Sequence, residues 1–468
     1  MQPFMGRGNL ERSRREILRH VPTAGLLCAL PAFPSIAAPP SRRFAITRFG
    51  AKADGATINT QAIQKAIDAC AAAGGGTVVV PAGIFLSGSI FLKQGTHLEL
   101  AKGAVLKGSD RLDDYPLVMR RFCEAYPEPL RMALVNAKGI KGLRITGPGT
   151  LDGHGEPFWR MFFSAPKESL EGQEVKYPFP QIAFLQDCDD LLVSGVAFKD
   201  AAFWNLHLYR CTRTVIEKCG FDVPHVIRAP SSDAIDLDSC QDVTVRHCRF
   251  SVDDDCIALK GTQGPGAAAY AEAPPTERIH IHDCQFEYGL GCITFGSNGT
   301  VMRDIKVERI TNVGDIPTIR FKIRPDTPGQ VYERLHVRGV RLAPAPTPYS
   351  FWHRGEVFYG LPNPKTFGAD DPAVGLIVNA RLIHGTKVPA QPPGGVIRNI
   401  LIEDVRGTTR GFGNISANAT TVISDFTLRD IDVTLQDAKR SQLIARGVER
   451  LTLENVRVNG APAVVVSS

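Results

Sequence analysis

Apolar residues return at fixed intervals along most of this chain. The unit reads Val243-x-Val245-x-x-Cys248-x-Phe250. The same spacing opens at Leu191, Thr214, Ile279, Ile305, Leu335, Ile400, Phe426 and Leu451, which makes nine copies in one orientation. Alternation with period two predicts a strand, and the two-residue step before the third apolar position predicts a bend. No copy can bury its inner face alone, so the copies must stack. The expected class is all-β, and the expected architecture is a right-handed parallel β-helix over about residues 140 to 458. A propeller or sandwich of short strands is the rival arrangement, but no hairpin turn pairs recur.

The N-terminal part follows another pattern. Ala45 to Gly55 reads as a strand entering a turn. Thr60 to Ala73 has helical spacing, with Ile63, Ala66, Ile67 and Cys70 on one face and Thr60 as the N-cap. Gly74-Gly75-Gly76 ends the helix, and Thr77 to Gly83 returns to strand. A short helix at this place would cap a solenoid whose end strand is otherwise an unpaired edge. The cap is placed at about 44–116, within one elongated domain over 39–468. The repeat breaks between Val340 and Ile400 at an insertion of about 343–395, which holds Pro344, Pro346, Pro348, Tyr349, Phe351, Trp352, His353 and Arg354. A loop this long with an aromatic cluster is expected to be an ordered lid. A smaller insertion, Gly261 to Pro275, follows the strand that ends at Lys260.

Residues 1–38 read as a twin-arginine-type signal: Arg14-Arg15, an apolar run from Val21 to Ala32, then Ser35-Ile36-Ala37-Ala38. The run is too short for a membrane span. A periplasmic or secreted location follows, with no membrane attachment once the signal is removed. Charged content is 22% and the formal net charge is +6, a balance that a solvated surface explains and that suits a polyanionic substrate. The basic residues form no dense stripe, which argues against nucleic acid. Of the eleven cysteines, Cys219, Cys248 and Cys284 fill the slot that Val196, Ile310 and Val340 fill elsewhere. They read as buried free thiols. No Cys/His group has zinc spacing, and no metal or cofactor is expected.

Residues 231–260, SSDAIDLDSCQDVTVRHCRFSVDDDCIALK, carry Asp233, Asp236, Asp238, Asp253, Asp254 and Asp255. Asp233 and Asp254 are 21 positions apart, close to one solenoid turn of roughly 20–25 residues. Stacked strands sit about 4.8 Å apart, so these carboxylates meet on one surface. Such pairs do acid/base work on glycosidic bonds. Asp236 and Asp238 are read more plainly, as turn residues capping backbone amides. Lys260 is read as a neighbouring surface charge. His207, in Trp204-Asn205-Leu206-His207, either lines the cleft or packs. His225 and His247 carry no functional expectation.

Four segments resemble glycoside hydrolase family 28, the polygalacturonase-like, pectin-degrading enzymes. They are FGAKADG with AIQKAIDACAAAGGGTVVVPAG, the Gly147–Gly155 run GPGTLDGHG, the pair SSDAID and DDDCIALK, and Arg320-Phe321-Lys322. The resemblance spans about residues 44 to 340. It implies that Asp254 is the general acid, that Asp233 and Asp255 activate a water on the opposite face, and that Arg320 and Lys322 hold a substrate carboxylate. It implies inversion at the anomeric centre, for which carboxyl groups about 6.5–9.5 Å apart are usual. The lid would then stack on sugar rings, and walls at the cleft ends would favour exo cleavage. The expected partner is an acidic polysaccharide or oligosaccharide, and the protein is expected to act as a monomer.

Three positions depart from the family pattern. Gly289-Leu290-Gly291 lacks the histidine of a Gly-His-Gly motif, Ser231 replaces an Asn, and Asp253 replaces a Gly. Leucine relays no proton, so the specificity is expected to diverge, towards rhamnogalacturonan or exo action. A non-catalytic pectin-binding protein and a β-helix polysaccharide lyase remain as alternatives. The lyase would need a Ca²⁺ site and an Arg or Lys base.

Overall fold

A computed structural model describes residues 42–121, 127–164, 179–224, 229–264, 266–267, 274–296, 299–314, 316–324, 327–343, 378–382, 394–409, 411–417, 420–435 and 442–466. The expected signal segment, His225, the named aromatic residues of the long insertion and part of the smaller insertion lie outside them.

The nine copies stack as parallel strands in register. Val193 opposes Ile216, Ile216 opposes Val245, and Val245 opposes Ile281. The column continues through Val307, Val337, Ile402, Leu428 and Leu453. One residue after the bend sits the column of Cys219, Cys248 and Cys284, all buried. These thiols are free, like every described cysteine. Two positions further on, Phe198, Phe221, Phe250 and Phe286 stack face to face with centroids 4.8, 5.4 and 4.9 Å apart. A register slip of one residue would turn every such side chain to the wrong face.

The bend has a backbone cause. In all nine copies the second residue of the two-residue step has positive φ: Gly195, Lys218, His247, Asp283, Arg309, Gly339, Asp404, Asp430 and Asn455. Left-handed backbone costs an ordinary L-residue about 1–2 kcal/mol. Only two of these nine are glycine, so the stacked coils hold the rest in place. The residue before each first apolar position also has positive φ, and it is Asp, Arg or Asn in every copy, from Asp190 to Arg450. Neighbouring coils pair these residues, as in Arg278–Asp242 (2.7 Å), Arg334–Asp304 (2.6 Å) and Arg450–Asp425 (2.6 Å).

A second parallel sheet of twelve strands runs from Ile90–Phe91 to Val465–Val466. Its central strands are Leu206–Tyr209, Ile235–Asp238, Asp255–Lys260, Gly291–Phe295 and Ile319–Ile323. Ile235, Ile257, Ile293 and Ile319 face inward in one column.

The N-terminal helix runs Thr60–Ala72 and buries the expected face of Ile63, Ala66, Ile67 and Cys70. It packs on the first strands, Arg43–Ala45 and Gly76–Val80. Two local expectations change. Thr60 is inside the helix, and its hydroxyl accepts from the Gly88 amide. Ile46–Phe49 is a 3-10 turn rather than strand, closed by left-handed Gly50. An antiparallel arm, Leu117–Arg120 with Glu128–Arg131, carried no repeat signal. Past Val458 the chain folds back, and Ala461–Pro462 pairs antiparallel with the last long strand.

Candidate active site

The twelve-stranded sheet gathers the carboxylates. Ile235 opposes Ile257 and Asp238 opposes Lys260, a step of 22 residues that sets Asp233 level with Asp255. The Ala234 amide donates to the Asp255 carbonyl at 3.0 Å, which fixes that level. One oxygen each from Asp233, Asp254 and Asp255 lies within 4.8 Å of the others. This is closer than the carboxyl spacing of about 6.5–9.5 Å usual for inversion.

Asp253 stays outside the trio. Its carboxylate accepts from the Ala229 amide at 2.9 Å and the Tyr288 hydroxyl at 3.3 Å. Its own amide donates to the Ser232 hydroxyl at 3.0 Å. These bonds tie the turn before Asp233 to the turn before Asp254. Gly289 lies against that second turn, where a Cβ would meet Cys256 Sγ at 2.7 Å and the Asp254 carbonyl at 2.9 Å. Leu290 donates its amide to the Asp254 carbonyl at 3.0 Å. Its carbonyl accepts from Arg320 at 3.3 Å, so its backbone serves the site whatever its side chain.

Arg320 and Lys322 share a face of the strand Ile319–Ile323, because alternate residues of a strand point the same way, while Phe321 packs inward on Phe295 at 4.7 Å. Both cations reach Asp255: Arg320 Nη1 to Oδ1 at 3.3 Å and Lys322 Nζ to Oδ2 at 2.5 Å. The Thr294 hydroxyl also donates to Asp255 at 2.8 Å.

Lys260 corrects the expectation of a surface charge. It is 4% exposed. Its ammonium lies 3.2 Å from Asp233 Oδ2 and 3.3 Å from Asp236 Oδ1, and 4.2 Å above the Trp204 ring centre. Asp236 does not cap backbone amides; it is fully buried, with the Lys260 ammonium beside its Oδ1. Asp238 accepts from the Ser239 hydroxyl at 3.2 Å and lies 3.5 Å from His207 Nε2. His207 is packed, with Gln181 at 3.0 Å on its other nitrogen and Trp204 edge-on at 5.0 Å. Burial lowers its basicity to a pKa of about 4, against the pull of Asp238. Lys260, Thr294 and Trp204 were missed. Lys260 was within reach: alternation in Ile257-Ala258-Leu259-Lys260 puts it on the face of Asp236 and Asp238.

The carboxyls are driven apart electrostatically. Burial, then Asp233 and Asp255, push Asp254 up to about 7 against Lys322 and Arg320. Burial acts on Asp255 too, but Lys322, Arg320 and Lys260 prevail and hold it down to about 2. Burial raises Asp233, and Lys260 opposes it. Burial and Asp233 raise Asp236 well above the usual range. The trio's spacing would also suit a shared cation, but Lys260, Lys322 and Arg320 already fill that role. The cluster therefore sets a carboxyl pushed up to about 7, Asp254, beside one held down to about 2, Asp255, with Lys260, Arg320 and Lys322 around them.

The model of the family Glycosyl hydrolases family 28 matches residues 70–339. A probable polygalacturonase of Vitis vinifera is 28% identical over 320 residues, covering 66% of this chain and 62% of the relative. An exo-poly-alpha-D-galacturonosidase of Dickeya chrysanthemi is 26% identical over 324 residues, covering 60% of this chain and 52% of the relative. The alignments thus span less than two thirds of either relative's length. Among solved structures, a hyperthermoactive exopolygalacturonase from Thermotoga maritima superposes with TM-score 0.66 at 21% identity, covering 91% of this chain and 93% of the other. A polygalacturonase from Erwinia carotovora gives 0.56 at 17%, covering 92% and 100%. The fold is the right-handed parallel β-helix expected from the repeat.

Proposed function

Because the chain belongs to glycosyl hydrolases family 28, with more than half its length matched, we propose that it hydrolyses α-glycosidic bonds in pectic polysaccharide. The observation that carries this reading is the division of three adjacent carboxyls into a protonated Asp254 and an ionised Asp255. A glycosidase needs this division, one carboxyl to give a proton and another to take one. Asp254 protonates the leaving oxygen. Asp233 and Asp255 orient and deprotonate a water. Both oxygens of Asp255 are engaged by Thr294, Arg320 and Lys322, which suits an orienting group better than a covalent nucleophile and favours inversion.

Arg320 and Lys322 together exceed the single charge of Asp255. Their remaining donors would serve a uronate carboxylate, where a charge-assisted hydrogen bond is the strong kind. This surplus supports an acidic backbone such as polygalacturonan over a neutral sugar at the cleaved bond. The Dickeya relative's name supports exo action. The basic N-terminus with Arg14-Arg15 supports export. No described helix is long and apolar enough to cross a membrane.

Incubation with defined galacturonan and rhamnogalacturonan oligosaccharides tests the reading. We expect saturated monomer from one chain end, with the anomeric configuration inverted in the first-formed product by NMR. Retention would turn one ionised Asp into a nucleophile, as the close oxygen spacing alone would allow. An ultraviolet-absorbing unsaturated product would mean a lyase. No product from any of these substrates would leave a binding protein.

A further inference from the structure

Lys260 closes the segment DDDCIALK but has no role in the reaction as proposed above, yet it is the most deeply placed cation of the site. Four groups at this point are each at least nine-tenths buried: Lys260 at 4%, Asp233 at 3%, Asp236 at 0% and Trp204 at 4% exposure. The ammonium is held from three sides, by Asp233 Oδ2 at 3.2 Å, Asp236 Oδ1 at 3.3 Å and the Trp204 ring at 4.2 Å. Burying such a cluster is poor design for stability alone, since apolar side chains of similar volume often pack at no loss or with gain. The two preceding coils fill the same row differently, with Tyr209 and Asp238.

We propose that Lys260 is a positioning residue for the reaction, its buried ammonium keeping the Asp233 carboxylate charged and aimed while Asp236 and Trp204 fix the ammonium. The inference rests on the reading of Asp233 as one of the water-activating pair. Lys260 stands behind Asp233 and touches no substrate. Asp233 otherwise faces groups that favour its protonation: its own burial and the charge of Asp255. Asp254 lies beside it on the next coil, and Lys322 adds a weaker pull from three coils on. From the preceding coil His207 approaches Lys260, and burial keeps it neutral near pH 6. Asp238 lies against His207. Lys260 is thus the leading counterweight. A uronate arriving in the cleft would add another negative charge, which makes that counterweight matter most in the complex.

The test is the pH dependence of kcat and KM for the full chain acting on an oligogalacturonide, with Lys260→Met, Lys260→Gln, Lys260→Arg and Asp233→Asn. An opposite charge at this distance lowers a carboxylate pKa by about 1–3 units. Lys260→Met should therefore move the acid limb of the kcat profile up by at least about one unit. The expected fall in kcat below that limb is tenfold or more, with KM changed far less. Lys260→Gln keeps a hydrogen bond without charge and should move the limb in the same way. Lys260→Arg restores the charge and should bring the limb back. If Lys260→Met does not fold, the contrast between Gln and Arg carries the same decision. An unmoved limb in Met and Gln, with Asp233→Asn inactive, would overturn the role of Lys260 and leave that of Asp233 intact. Normal turnover in Asp233→Asn would remove the underlying reading itself.

Discussion

Two sets of acid–base pairs sit on opposite sheets of this solenoid, and they behave oppositely. On the long-stranded sheet, Arg278–Asp242 and Arg334–Asp304 bridge successive coils, with side chains 40–46% exposed. There the partner wins: Arg334 holds Asp304 below the usual carboxylate range against a modest burial penalty. On the other sheet, burial and like charges push Asp254 up to about 7, although Lys322 and Arg320 stand near. The residue types are the same and the pairs again join neighbouring coils. What differs is water. Exposed pairs gain little because solvent screens both partners. Buried ones are poised between costly desolvation and strong attraction, so small differences in placement decide who holds the proton. The first set staples coils; the second can do chemistry.

The comparison breaks first at Asp254. Replacing it with Asn should cost about 10²–10⁴-fold in kcat, the usual range for losing a general acid. The fold should survive, because Asn keeps the shape. A carboxyl whose folded pKa is raised loses stability as pH rises from its ordinary value through about 7. The Asn variant should therefore melt no lower than the parent at pH 8. A marked drop in melting temperature there would show that the ionised carboxylate is needed for the fold.

Next come the cations over Asp255. A charged hydrogen bond contributes about 1.5–3 kcal/mol. Lys322→Met or Arg320→Met should then weaken kcat/KM on galacturonide oligomers by about one to two orders of magnitude. Neutral analogues should lose less. Equal losses on both would mean that these residues serve Asp255 and not the substrate.

The wild-type pH profile sharpens the contrast further. The acid works while protonated, so kcat should fall as pH rises past about 7, the value to which Asp254 is pushed. Asp255, held near 2, stays ionised throughout the working range. An alkaline limb beyond pH 9 would exclude Asp254 as the titrating acid.

The smallest effect belongs to the exposed ladder. Asp304→Ala should change stability by about 0.2–1 kcal/mol and leave kcat untouched. Because Asp304's folded pKa is depressed, its contribution is present near neutrality and fades as acid is added through that lowered value. Urea melts at pH 7 and at pH 3 would read this directly. A larger effect at pH 3 than at pH 7 would invert the assignment.

Much of this was legible along the chain. Alternation placed Arg320 and Lys322 on one face and Phe321 on the other, and the strand does so. Cys219, Cys248 and Cys284 lie inward as the repeat required. The level of Asp233 was nearly right; the register pairs it with Asp255 rather than Asp254, because this one coil advances 22 residues and not 21. Lys260 and Asp236 were misread because lysine and turn aspartates are usually solvated, and only the neighbouring coils and Trp204 exclude water from them. The arm Leu117–Arg120 with Glu128–Arg131 has no period to read, and its place, with Arg120 bonded to Gln181 at 3.0 Å, is set by contacts far along the chain.

The sequence by itself determined the coil. Each apolar position and each bend is a local instruction, carried by alternation and by residues that tolerate left-handed backbone, and stacking identical instructions leaves one arrangement that buries them all. Only the tertiary structure decided which carboxyls are charged. Protonation depends on how completely water is removed and on which cations arrive from other coils. Arg320 and Lys322 come from 65 and 67 residues beyond Asp255. No local pattern encodes the distance at which such charges finally meet.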